Sequence, residues 1–201
     1  MFCFGGRINR LRLSCGLRAH ARASLFAFCA LLCISPFFAA AAFAQNADSI
    51  SREQSIKAAY LYHLTKFVDW PKDHQHSIGE TINLCVYGDS AFNQFLQHIE
   101  SRSAKGRPIK LIKLVDKKSP ESRCEIVYFS NKDQAEVELV QAYNQQATLT
   151  VSEQPDFLDS QGMVAMVLIN NHIRLQINHT LAKQAGINMS ANLLEVAALV
   201  K

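Results

Sequence analysis

Acidic residues are missing from the first 44 residues of this 201-residue chain, although the same segment contains five arginines. An apolar run follows from Leu25 to Ala42, and the segment ends on the small residues of Ala42-Phe43-Ala44. A basic start, an apolar stretch and small residues at the cleavage point are typical of an export signal. We therefore predict a cleaved signal peptide over residues 1–44 and a mature, periplasmic domain over residues 45–201.

An uncleaved membrane anchor is the alternative interpretation of this segment, because residues 23–44 are nearly long enough to cross about 30 Å of hydrocarbon. Pro36 within the run and the polar residues that follow Ala44 favour cleavage. The length of the basic region also leaves open a start codon downstream of Met1.

A basic excess is missing from the rest of the chain. Five of the 21 Lys and Arg residues, and none of the 17 Asp and Glu residues, lie before residue 45, which leaves a net charge near −1. Six basic residues do cluster, but apolar residues alternate with them, which favours a solvated strand face over an anion or nucleic-acid site. They are Lys105, Arg107, Lys110, Lys113, Lys117 and Lys118. We therefore expect no nucleic-acid partner.

Cysteine is scarce in the predicted mature domain, because four of the six cysteines lie in the leader and only Cys85 and Cys124 remain. An oxidising compartment favours one disulfide between them, whereas two buried free thiols are the alternative. Closing their 39-residue separation would contribute about 4 kcal/mol in the chain-entropy model. Neither cysteine lies in a CxxC motif, which argues against redox catalysis and structural zinc.

Motifs for catalysis and for cofactor binding are missing as well. The chain has no GxSxG elbow and no glycine pattern of a phosphate loop. His74 and His76 form the only close histidine pair, but their polar segment favours solvated loop residues over metal ligands. Gly88-Asp89-Ser90 precedes a predicted helix, where ordinary capping is favoured over anion binding. We therefore predict no catalytic residue, no metal and no cofactor, and we expect His63 to be a core or interface residue.

The distribution of apolar residues predicts one domain of about 157 residues. Capping-box spacing at Ser51-Arg52-Glu53-Gln54 and Pro71 bound a first helix, about residues 51–68. Its apolar stripe is predicted to contain Ile56, Tyr60, His63, Leu64 and Phe67.

Strands and helices alternate in the remainder of the chain. Strands are predicted over 81–87, 109–115, 125–130, 148–152, 163–169 and 173–177, and helices over 91–100, 133–144, 180–185 and 190–199. Asn170-Asn171 predicts a hairpin between the last two strands, and Asn178 a helix cap. The expected fold is a single α/β domain with a mixed β-sheet flanked by helices.

The first helix carries more aromatic residues than one face can bury. Tyr62 and Trp70 lie off the predicted stripe, and Phe67 lies near its end. Aromatic side chains are enriched at protein interfaces, so we take Tyr62, Phe67 and Trp70 as candidate partner-binding residues. Ordinary half-exposed positions are the alternative.

The segment from Lys57-Ala58-Ala59-Tyr60-Leu61 to Phe67-Val68-Asp69-Trp70-Pro71 resembles the opening helix of the YfiR-like family of periplasmic proteins. The resemblance continues across the predicted mature domain in a specific order. Its further segments are Val86-Tyr87-Gly88-Asp89, Lys105-Gly106-Arg107-Pro108-Ile109, residues 124–130, 148–152, 162–164, 173–178 and 185–194.

This resemblance implies a non-enzymatic regulator that binds the periplasmic sensing domain of an inner-membrane diguanylate cyclase and represses it, which would lower cyclic di-GMP and biofilm formation. It also implies an α/β fold, a homodimer and a disulfide between Cys85 and Cys124; a second cysteine pair of some relatives is missing here. The alternative function is a solute-binding module with a pocket near residues 88–90 and 150–153, at the strand ends.

Overall fold

The computed structural model describes residues 50–72, 80–87, 92–100, 102–114, 124–130 and 136–201. The predicted signal peptide, the His74 and His76 pair and Gly88-Asp89-Ser90 therefore lie outside the described residues. Among the residues that are described, no helix is long and apolar enough to span a membrane. Ile50–Lys201 forms one unit with its own core.

Five helices and ten strands are described, several of them very short. The helices are α1 (residues 50–67), α2 (Asn93–Glu100), α3 (Val137–Gln145), α4 (His179–Gln184) and α5 (Ala191–Glu195). The strands are β1 (Val68–Asp69), β2 (Ile82–Tyr87), β3 (Ser103–Ala104), β4 (Arg107–Leu114), β5 (Ile126–Phe129), β6 (Leu149–Ser152), β7 (Val164–Ile169), β8 (His172–Ile177), β9 (Asn188–Met189) and β10 (Leu199–Val200).

Eight of the described strands form one sheet in the order β10-β8-β7-β6-β5-β2-β4-β3. The central strands β4, β2, β5, β6 and β7 run parallel, whereas β8 is antiparallel to β7 and β3 is antiparallel to β4. Strands β1 and β9 pair separately. The predicted α/β fold with a mixed sheet flanked by helices is confirmed.

Both faces of the sheet are covered, which explains why β5 and β6 are buried at every position. Alternate residues of β2 show the two directions. Leu84 and Val86 belong to the cluster that contains the buried residues of α1 and α2, whereas Cys85 and Tyr87 belong to the cluster of α3. The sheet therefore separates an α1/α2 layer from an α3 layer.

The hairpin between β7 and β8 is confirmed. Asn170 and Asn171 both have positive φ, 49° and 62°, as a two-residue turn of the primed type requires. The Asn178 cap is also confirmed, because its side chain accepts a 3.0 Å hydrogen bond from the Leu181 amide.

The predicted buried stripe of α1 is wrong at two positions. Ile56 is 38% exposed and His63 is exposed, and the latter stacks on Phe67 instead of entering the core. The stripe that the structure buries is rotated on the helix and contains Lys57, Ala58, Leu61, Leu64, Thr65 and Val68. The predicted stripe does not include Lys57, a charged residue that the structure buries.

The last predicted helix is also too long. Helix α5 ends at Glu195, and Leu199–Val200 forms β10 alongside β8 instead. Two backbone acceptors of β8 thereby gain donors: Leu175 from the Ala198 amide at 2.7 Å, and Ile177 from the Lys201 amide at 3.0 Å. A third, the Ile173 carbonyl, accepts a hydrogen bond from the Tyr60 hydroxyl of α1 at 3.3 Å. Unpaired edges favour non-specific pairing, so this chain end protects the sheet.

The rotated stripe generates the first prediction. Leu61→Ala should lower the free energy of unfolding by about 2–5 kcal/mol, because it opens a cavity beneath α1. Ile56→Ala, on the exposed side, should change it by no more than about 0.5 kcal/mol. Urea denaturation of both variants checks this, and equal losses would contradict the observed orientation of α1.

Candidate functional site

Several family-like segments, far apart in sequence, meet where the parallel strands begin. The central residue is Glu125, which is 1% exposed and directly precedes β5. Its carboxylate accepts hydrogen bonds from Arg107 at 2.6 Å and from the Asn83 amide at 2.7 Å, and its carbonyl accepts one from the Trp70 indole at 3.0 Å. These contacts join the end of α1 to β2, β4 and β5.

The segment that follows α1 is held from two further sides. The Lys105 ammonium donates to the Val68 carbonyl at 2.6 Å and forms an ion pair with Asp69. On the other side, β1 pairs with β9, and the Ser190 amide donates to the Phe67 carbonyl at 2.9 Å. This end of the sheet therefore fixes where α1 stops.

Cys85 and Cys124 are joined by a disulfide in the structure, with their Cα atoms 5.7 Å apart. Both residues are buried on the α3 side of the sheet. The bond links β2 to the residue before Glu125, so it reinforces the same region.

Burial raises the pKa of Glu125 above its ordinary value of 4.5, although the Asn83 amide and Arg107 oppose this effect. The folded state therefore binds the carboxyl proton of Glu125 more tightly than the unfolded state does. Where the folded state binds more protons, the free energy of unfolding falls as pH rises. The pH range over which Glu125 makes the free energy of unfolding fall begins near pH 4.5 and extends upward to the raised pKa.

This pH dependence is the second prediction. Glu125→Gln cannot titrate, so the free energy of unfolding of the wild type minus that of the variant should fall as the pH rises above about 4.5, until Glu125 is ionised in the folded state as well. Urea denaturation across that range measures the difference. Glu138→Gln, at an exposed position of α3, controls for the loss of one carboxylate, and a difference that rises with pH would contradict the prediction.

The candidate partner-binding residues lie in different surroundings. Trp70 is half-buried and its indole N–H is bonded to Glu125. Phe67 is half-buried against His63, with ring centroids 6.0 Å apart. Tyr62 borders a surface groove, which we call the α1–α2 groove. The structure therefore places these three candidates along one helix end without bringing them into one site.

The α1–α2 groove has a volume of about 250 Å³ and is lined by Ser55, Ala58, Ala59, Tyr62, Phe95, His98, Ile99 and Arg102. The Tyr62 ring lies 4.6 Å from the Lys66 ammonium and 4.9 Å from the Arg102 guanidinium. Cations at this distance are attracted to an aromatic face. No carboxylate is among the described lining residues, so the groove presents positive charge around an aromatic ring.

A second recess lies on the opposite side of α1, and we call it the Lys57 pocket. It has a volume of about 420 Å³ and is lined by Glu53, Lys57, Glu153, Pro155, Met166, Val167, Leu168, Ile169, Ile173 and Gln176. The Lys57 ammonium lies 2.5 Å from Glu53 and 2.6 Å from Glu153. Glu153 follows β6, so one residue of the pocket predicted at 150–153 is found here, while 88–90 lies outside the described residues.

Among the described residues, two buried polar side chains at this same end of the sheet have no hydrogen-bond partner. Asn93 begins α2 after β2, and Ser130 directly follows β5. Buried polar groups in proteins are normally hydrogen-bonded. Among the described residues, no group of three or more His, Cys, Asp or Glu could hold a metal ion.

Sequence reasoning missed both charged clusters, because their partners are 18 and 96 positions apart. One feature of the helix bears on this: Lys57 is the charged residue within the buried stripe of α1. A lysine in such a place needs a carboxylate partner.

Comparisons with solved structures show only distant similarity. One is a conserved domain protein from Vibrio cholerae O1 biovar El Tor, with 12% identity and a TM-score of 0.46, over 63% of this chain and 57% of that one. Another is an ABC domain in complex with L-Trp from Streptococcus pneumoniae, with 10% identity and a TM-score of 0.42, over 65% and 57%. This chain thus spans less than two thirds of either.

Comparison with curated proteins finds no match. A family model described as YfiR/HmsC-like matches residues 54–198, which is most of the chain and nearly all of its described unit. The chain therefore belongs to the YfiR/HmsC-like family.

Proposed function

We propose that this protein is a periplasmic regulator that binds the sensing domain of an inner-membrane diguanylate cyclase and represses it. The family match over residues 54–198 carries the proposal. Removal of residues 1–44 on export would deliver the domain to the compartment in which that sensing domain lies. The protein would act by contact, without catalysing a reaction, and as a homodimer.

Repression by contact requires only a difference in affinity. A protein that binds the inactive form of the cyclase about 100-fold more tightly than the active form shifts that equilibrium by about 2.7 kcal/mol. Such a shift is within reach of one well-formed interface.

Tyr62 is the candidate contact best placed for this role. Its ring is half-buried but borders the open α1–α2 groove, between two cations. Tyrosine and arginine, together with tryptophan, are enriched among the residues that dominate interface energies. Phe67 and Trp70 would contribute by fixing the end of α1, since the Trp70 indole is already bonded within the domain.

The third prediction concerns the cell. Deletion of the gene should raise cyclic di-GMP, and the wild-type gene should restore the low level. Tyr62→Ala and the charge reversal Arg102→Glu should each fail to restore it fully, because both remove groups that line the α1–α2 groove. Val137→Ala, at a 39% exposed position of α3 on the other face, should restore repression like the wild type.

Cyclic di-GMP measured at matched periplasmic protein levels checks this prediction. Recovery of the cyclase with tagged wild-type protein, and its loss with Tyr62→Ala, would support contact through the groove. Unchanged cyclic di-GMP after deletion, together with no cyclase recovered from membranes, would contradict the proposed function. Repression by both groove variants at the wild-type level would contradict only the assigned surface.

A further inference from the structure

The Lys57 pocket is unusual because charged groups form its floor within an apolar wall. Lys57 is 5% exposed in its side chain and sits between two carboxylates, and the Tyr128 hydroxyl bonds to Glu153 on its far side. Removing ions from water is costly even when they are paired. Apolar side chains could serve a purely structural contact between α1 and the residue after β6 equally well, so this charge cluster needs another explanation.

The pocket has a net charge of about −1, because two carboxylates surround one ammonium among its lining residues. The two carboxylates are also more exposed to solvent than the ammonium. The side chains of Glu53 and Glu153 are 33% and 14% exposed, against 5% for Lys57. An entering molecule therefore meets the carboxylates before it meets the ammonium. A cationic group is favoured there, and an anionic group is repelled.

The carboxylates retain the capacity to bind such a cation. Each carboxylate offers about four acceptor sites. Lys57 uses one oxygen of each, and the Tyr128 hydroxyl donates to the other oxygen of Glu153, so both carboxylates keep unused lone pairs. Hydrogen bonds between an ammonium or guanidinium and a carboxylate are among the stronger ones in proteins. The floor can therefore accept a second cation alongside Lys57.

The apolar wall of the pocket determines the chemical character of the remainder of the ligand. Met166, Val167, Leu168, Ile169 and Ile173 line the pocket. Leu168 and Ile169 are 56% and 38% exposed, so apolar surface at the rim remains in contact with water until it is covered. The volume of about 420 Å³ lies in the range of small-molecule sites. Glu153 also follows a parallel strand, the end of an α/β sheet at which ligands usually bind.

We propose that the Lys57 pocket binds a small organic cation, an amine or guanidine that carries an apolar body. The cationic group lies against Glu53 and Glu153, and the apolar body covers Leu168 and Ile169. This site is separate from the α1–α2 groove, and its occupancy does not depend on the proposed regulation of a cyclase.

The fourth prediction uses phenethylammonium as the probe, with the exported protein in calorimetric titration at pH 7. It should bind at least about tenfold more tightly than 2-phenylethanol or 3-phenylpropanoate, which share its apolar body but are neutral and anionic. Glu153→Gln should weaken phenethylammonium about tenfold. Asp159→Asn removes one carboxylate that does not line the pocket and should leave the affinity within about twofold.

Two further variants keep the test decisive if Glu153→Gln does not fold. Glu53→Gln, at the more exposed carboxylate, should also weaken the amine, and Leu168→Ser should weaken all three probes about threefold while preserving the preference for the cation. Equal affinity for the three probes, or an amine affinity unchanged by both glutamine variants, would overturn the proposal. So would the absence of binding at millimolar amine, which would leave a cationic side chain of another protein as the occupant.

Discussion

A carboxylate buried where the central strands begin is the constraint on which this structure depends. Glu125 satisfies the Asn83 amide, pairs with Arg107 and, through its carbonyl, bonds to both the Trp70 indole and the Leu149 amide. An unpaired charge in this position would be costly, so the partners must all be present for any of them to be favourable. The neighbouring disulfide and the β1–β9 ladder hold the same region. Several of the family-like segments of the sequence thus meet at one contact centre in space. Trp70, which the sequence indicated as a candidate interface residue, therefore forms a hydrogen bond within the domain.

Periodicity predicted the elements well wherever burial follows the pattern of apolar residues. Strands β2, β5, β6 and β7 and the β7–β8 hairpin were found within one or two residues, because two covered sheet faces leave little choice of residue type. It failed where polar groups are buried. The buried face of α1 includes Lys57 and is therefore rotated relative to the predicted face. The short strands β1, β9 and β10 form only by pairing with strands that are distant in the sequence. The α/β class could therefore be predicted from the sequence. Which face of α1 is buried could not, because that depends on which of its polar residues are paired in the folded domain.

The candidate sites were less accessible for the same reason. The family-like motif drew attention to aromatic residues of α1, and the structure places Tyr62 beside a groove with Arg102, a residue that lies 40 positions away and outside the motif. The Lys57 pocket arises from α1, the residue after β6 and the β7–β8 hairpin. No local pattern joins these three segments, because the right-handed crossovers of a parallel sheet bring them together only after folding.

Helix α1 is shared by both recesses, which limits how they can influence one another. Its carboxyl-terminal end is held by β1, Lys105 and Trp70, whereas Glu53 and Lys57 hold its first turns through ion pairs that face the pocket. A cation bound there shares the carboxylates with Lys57, so any response of α1 would begin at its amino-terminal half. Ser55, Ala58 and Ala59 of that half line the α1–α2 groove. If a ligand preferred one position of these turns, it would change the affinity of the groove for a partner. By linkage, the partner would change the affinity of the pocket for the ligand by the same factor. Coupling between the two proposed activities, where both hold, is therefore expected through this half of α1, and the anchored carboxyl-terminal end would serve as its fixed point.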